Sequence, residues 1–122
     1  MSFRWPNKDP DEQLDYSVDW SRFLGSATVS SFSWSVKSTL YDTKTVLGSG
    51  QTLTVASGSA TTDSIQNVSQ TKAPVSGGSG DKVVTINIGG GQNNVEYTFF
   101  CNIIDSTGSQ AERSIKLRVK ER

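Results

Sequence analysis

The chain has 122 residues and a mass of 13.2 kDa, one domain's worth, and a chain of that mass buries roughly 65% of its extended surface on folding. Lys and Arg number 12, as do Asp and Glu, so the formal net charge is zero and no overall basic field recommends nucleic acid or an anionic membrane as a partner. With no histidine and one cysteine it lacks the commonest general base, the commonest metal ligand and any disulfide framework, so no enzyme activity, metal or cofactor is expected. Ser, Thr and Gly make up about a third of the residues, a mixture suited to short strands and turns, which sets the class as all-β.

Residues 1–13 carry two prolines and no apolar periodicity, and read as an extended N-terminal arm ahead of a domain spanning 14–122. The start shows neither the apolar run of a secretory signal nor, later, a stretch long enough to span a bilayer, so synthesis in the cytosol is expected. Phe3 and Trp5 are unusual in an arm. Either they fold back onto the domain or they anchor into a neighbouring subunit.

From Leu14 the pattern alternates: Leu14, Tyr16, Val18 and Trp20 share one face and Asp15, Ser17 and Asp19 the other, which predicts a strand. Residues 21–25 read as one helical or 3₁₀ turn closed by Gly25. Residues 30–37 alternate again with Phe32, Trp34 and Val36 inward, and short strands follow near 52–56 and 64–70. Residues 73–80 form a flexible surface loop before a strand at 82–88 that ends on three glycines. Residues 95–105 and 111–120 predict a hairpin, the turn between them holding Gly108 for a left-handed position.

About seven short strands with turns every 8 to 12 residues predict an immunoglobulin-like antiparallel β-sandwich, a small barrel being the alternative. Trp34 and the run Tyr97-Thr98-Phe99-Phe100-Cys101 occupy the places where such sandwiches keep a central Trp and an aromatic cluster. Cys101 has no disulfide partner and packs as a small hydrophobe in this reading.

The neutral total hides local imbalance. Residues 1–20 hold Asp9, Asp11, Glu12, Asp15 and Asp19 against Arg4 and Lys8, while residues 111–122 hold Arg113, Lys116, Arg118, Lys120 and Arg122 against Glu112 and Glu121. If the first and last strands are neighbours, the two groups pair within one chain at little gain. If they are apart, an acidic end meets the basic end of the next copy in a heterologous contact. Other chemistry is thin. The carboxylates of residues 9–15 could face Ca²⁺, yet the glycine turn and distal Glu of an EF-hand are missing. Gly77-Gly78-Ser79-Gly80-Asp81-Lys82 lacks the spacing and following helix of a phosphate loop. The sequon at Asn67 matters only in a secreted chain.

The block from Trp5 to Trp20, with Phe23-Leu24-Gly25 and Trp34 after it, resembles the fibre-tail adaptors of tailed bacteriophages, small virion proteins in which K-D-P-D-E-x-L-D-Y-x-x-D-W precedes an Ig-like domain. The resemblance resumes at Glu112-Arg113-Ser114-Ile115, Leu117, Val119 and Glu121-Arg122, while residues 37–91 carry no family motif. It implies a non-enzymatic assembly protein of the virion tail or neck, made in the host cytoplasm, present in several copies as a ring or homo-oligomer, and linking tail or neck to fibre or ring components. Neither nucleic acid nor membrane is an implied partner. In this reading Trp5 anchors the arm, Asp9, Asp11, Glu12 and Asp15 form an acidic recognition face, and Arg118, Lys120 and Arg122 its basic counterpart. Sandwich edges also suit strand addition by a partner. A capsid decoration or neck protein and a carbohydrate-binding module for host surfaces are the alternatives.

Overall fold

A computed structural model describes residues 3–39, 41–57, 59–75 and 78–121. They form an all-β sandwich of nine strands and one short helix: β1 (Phe3–Arg4), β2 (Gln13–Asp19), α1 (Ser21–Leu24), β3 (Val29–Ser38), β4 (Tyr41–Val46), β5 (Thr52–Ser57), β6 (Ser59–Ala73), β7 (Val83–Gly89), β8 (Val95–Asp105) and β9 (Gln110–Val119). One sheet has the order β1-β9-β8-β3-β4 and the other β2-β7-β6-β5. The pairings β2·β7 and β6·β7 on one layer and β3·β8 and β8·β9 on the other make the immunoglobulin-like Greek key the alternation predicts. Among the described residues no helix is long and apolar enough to cross a membrane.

Inward residues of both layers meet in one core. Tyr16, Val18 and Trp20 of the β2 segment, Trp34 and Val36 of β3, Val84, Ile86 and Ile88 of β7, Tyr97, Phe99, Cys101 and Ile103 of β8 and Ile115, Leu117 and Val119 of β9 are all buried. Phe32, expected inward with Trp34, is only partly buried and packs at the margin of that core. A register shift between Val29 and Ser31 against β8 accompanies this outer position. Trp34 lies opposite Cys101 in the β3·β8 ladder, the central Trp position of such sandwiches. Cys101 is a free, buried thiol, and burial pushes its pKa up to about 12, so it behaves as a small apolar side chain.

The β8–β9 hairpin matches its expected bounds closely. Its turn is organised by Asp105, whose Oδ1 accepts from Thr107 N, Thr107 Oγ1 and Ser109 N at 2.7–2.9 Å. Those donors hold the Asp105 carboxyl below the usual range. Two strands had no counterpart in the alternation. β1 is two residues long, and β4 is a polar edge strand whose sequence YDTKTV carries little apolar signal. β6 is longer than its expected core of residues 64–70, because β5 zips antiparallel along its first half. Asn67, the sequon residue, is fully buried in β6 and its Nδ2 donates to Leu47 O and Gln70 Oε1, which closes it to modification in the folded chain. Of the loop at 73–80, Ser76 and Gly77 lie outside the described residues, while Lys82 N donating to Ala73 O ties its two ends together.

Candidate interaction surface

The N-terminal segment is built into the first sheet. Phe3 and Arg4 pair in parallel with Ile115 and Lys116 of β9, and Trp5 N donates to Lys116 O at 2.9 Å. After Pro6, which has no amide to give, Lys8 N donates to Arg118 O at 3.0 Å and Lys120 N returns a bond to Lys8 O at 2.8 Å. Residues 3–8 thus run as a strap along the outer edge of β9.

Two side chains pin the strap. Trp5 drops into the seam between the sheets, its ring 4.7 Å from Tyr16, 5.8 Å from Phe99 and 6.0 Å from Trp34 between centroids. Lys8 is fully buried, its Nζ donating to Asp9 O at 2.8 Å and Gly90 O at 2.6 Å. Burial lowers the Lys8 pKa against the opposing pull of Glu12, Asp9 and Asp11. The receiving backbone must be glycine: Gly90 and Gly91 have φ of +69° and +102°, and a Cβ on Gly90 would stand 2.0 Å from Ser64 O.

The acidic residues follow directly. Asp9 N donates to Glu12 Oε1, Asp11 N to Asp9 Oδ1 and Glu12 N to Asp9 O, all at 2.9–3.0 Å, forming a turn that leads from the strap into β2. Asp9 and Glu12 therefore serve the turn, while Asp11 is exposed beside them. Asp15, on the outer face of β2, accepts from Asn87 Nδ2 at 2.7 Å.

The basic residues lie alongside. Arg118 is half-buried on the outer face of β9, where its charge, behind those of Arg4 and Lys116, helps hold the Glu96 carboxyl below its usual range. Lys120 is exposed and its backbone is tied to Lys8, one residue from Asp9. Arg122 lies outside the described residues. The strap thus brings the acidic head and basic tail of the chain together at one end of one molecule.

Sequence reasoning gave no role to Arg4, Lys8, Glu96 or Arg113. Arg4 pairs with Glu96 at 2.9 Å, with Lys116 3.7 Å away from the same carboxylate. Arg113 stacks over Trp20 at 4.5 Å and donates to Asp19 O at 3.1 Å. Arg4 and Glu96 are far apart in sequence and only the strap makes them neighbours; a buried lysine likewise leaves no mark in a single sequence.

Between the strap and β2 the seam stays open on both sides of Trp5. One lobe, of about 330 Å³, reaches Val18 and Ile115; the other, of about 370 Å³, reaches Leu14 and Tyr16. An Ig-like sandwich whose chemistry is confined to pinned edges and charged rims is a structural interaction module. The chain belongs to the family described as podophage GP4 fiber-tail adaptor protein gp77, whose model matches residues 8–118, and so to a structural class of phage tail proteins rather than an enzyme class. A search of curated proteins found no match.

Proposed function

We propose that the chain joins the phage tail to a fibre component, in several copies arranged as a ring or homo-oligomer, with residues 1–13 as arm and 14–122 as sandwich domain. The observation that carries this is the strap, which ties the start of the family's most specific block to β9, holds Lys120 to Lys8 next to the acidic turn, and leaves Asp11 and Asp15 exposed beyond it. Trp5 fixes the arm to its own sandwich. Asp11 and Asp15, flanked by Asp9 and Glu12 in the turn, make one recognition face. Lys120, with Arg118 and Arg122, makes the other. Such charges at a rim set partner choice and encounter rate more than affinity. Neither nucleic acid nor a membrane enters this reading.

Because Trp5 packs on the core, deleting the arm would disturb the fold as well as any partner contact, and cross-linking in intact particles is the cleaner test. Amine-reactive cross-linking of purified virions, read by mass spectrometry, is expected to join the exposed Lys120 to both a tail subunit and a fibre subunit. Cross-links confined to capsid-shell subunits would overturn the proposal and favour a decoration role.

A further inference from the structure

β2 is the outer strand of its sheet, with β7 on one side and no strand among the described residues on the other. Its register fixes which backbone groups are free. Trp20 N donates to Lys82 O, continuing the pairing of Asp19 with Val83, so the even-numbered residues of the segment exchange hydrogen bonds with β7. The amides and carbonyls of Gln13, Asp15, Ser17 and Asp19 therefore point away from β7, toward the open seam. Asp19 O is taken by the Arg113 guanidinium, which leaves the other three as a row of backbone donors and acceptors with no protein partner among the described residues. Four of these features coincide along one line: free backbone, an apolar cleft beside it, exposed side chains at every odd position, and a carboxylate at two of them.

We infer that the β2 edge accepts an extended segment of a partner protein by strand addition, and that this segment alternates basic with small apolar residues. The apolar side chains enter the two lobes beside Trp5, over Leu14, Tyr16 and Val18. The basic ones lie on the outer face against Asp15. Charge decides the occupant. Of the cations across the cleft, Arg4 is engaged by Glu96 at 2.9 Å, and Arg113, stacked on Trp20 and bonded to Asp19 O, acts through its charge on the Asp19 carboxylate, so Asp15 sets the sign of the rim along the middle of β2. A second copy offering its own β2 is disfavoured, because an antiparallel pairing would place Asp15 and Asp19 of both chains on one face, like charges opposing. The chain's own basic, alternating strand, β9, is held between β8 and the strap and is not free to be donated.

The inference names one partner segment of the adaptor proposed above and rests on that reading only in taking a protein strand as occupant. The test uses the full chain and a synthetic peptide, so it can fail while the tail position stands, and the reverse. In the free protein, amide exchange is expected to be fast at Asp15 and Ser17 and slow at Tyr16 and Val18. An acetylated Lys-Val-Lys-Val-Thr-Val-Lys amide, added at about ten times its measured dissociation constant, is expected to raise protection at Asp15 and Ser17 about tenfold, following 1 + [L]/Kd. The same peptide with Glu for Lys has no such effect. Ser17→Pro removes an outward amide while keeping the backbone bonds of β2 to β7, its cost there being the exposed Ser17 Oγ–Thr85 Oγ1 hydrogen bond of 2.7 Å, and is expected to abolish the protection while Tyr16 and Val18 stay slow. Asp15→Lys, a change to an exposed side chain alone, reverses the preference between the two peptides. Slow exchange at Asp15 and Ser17 in the free protein, saturation of neither peptide, or equal binding of both would each overturn the inference.

Discussion

The edge of β9 and the edge of β2 face one another across the same seam, and the chain treats them oppositely. β9 ends in Lys116-Leu117-Arg118-Val119, with Lys120 directly after it, long basic side chains alternating with apolar ones, and the strap covers its outer backbone from Phe3 to Lys8. Among the described residues no strand covers β2, and Asp15 and Asp19 are exposed on one face of it. An uncovered strand edge pairs readily with any other, and charged side chains facing outward are one of the ways proteins limit this. The difference teaches that covering and charging are alternative treatments of an edge. The strap closes one edge permanently, whereas the carboxylates of β2 discriminate between the strands that approach it.

The largest way to break the contrast is to release the strap. Trp5→Ala removes the ring from Tyr16, Phe99 and Trp34 and opens a void at the seam. A cost of about 3 kcal/mol is expected, at the low end for tryptophan because the ring is only partly buried. For a domain of this size that lowers the melting temperature by about 10 °C. Hydrogen exchange should show the β9 amides losing protection first. If β9 stayed protected in the variant, the strap would not be what covers that edge.

Lys8 is the second pin, and its chemistry separates packing from charge. Lys8→Met keeps the buried stem and removes an ammonium that holds only carbonyl oxygens, so stability should stay within about 1 kcal/mol of the parent, while Lys8→Ala should lose about 2 kcal/mol. The pH dependence has a definite sign. Burial lowers the folded pKa of Lys8, so between the folded and unfolded values the unfolded chain binds more protons. Rising pH therefore removes a penalty, and the parent gains on Lys8→Met as pH climbs toward the ordinary lysine value of about 10.4. Denaturant melts of both proteins in alkaline buffer test this; a difference that stays flat or shrinks would contradict it.

These two pins mark where sequence reading reached and where it stopped. The inward residues of β2 and β9 were legible because alternation reports burial directly, and Trp34 was legible as the central tryptophan, whereas the aromatic run of β8 did not separate buried Tyr97 and Phe99 from Phe100, which is only partly buried. β4 was not, since an edge strand need bury little and its sequence shows no period. β1 was not, because a two-residue strand is defined by its neighbour's backbone rather than by its own side chains. The charge opposition between the two ends was visible as composition. What composition could not carry was its resolution: the strap makes the ends neighbours and buries Lys8, both of which depend on residues more than eighty positions away, while Asp9 and Glu12 bond one another in a local turn.

The smallest expected effect sharpens the comparison on the covered side. Glu96 is where the strap's own charge meets the outer face of β8 and β9: Arg4 reaches it at 2.9 Å and Lys116 at 3.7 Å. The hydrogen bond from Arg4, then the charges of Arg4, Lys116 and Arg118, hold its carboxyl below the usual range despite opposing desolvation. Glu96→Gln should cost under about 1 kcal/mol, since its partners Arg4 and Lys116 are about half-exposed and salt screens the pairs. The contribution is present above the unfolded glutamate pKa of about 4.3 and is lost as pH falls through the lower folded value, so parent and variant should converge in acid and at high salt. A loss several times larger, insensitive to salt, would mean that this ion pair rather than Trp5 and Lys8 holds the strap. The strap would then detach under the same conditions that weaken the acidic rim of β2, and the two edges would no longer be treated independently.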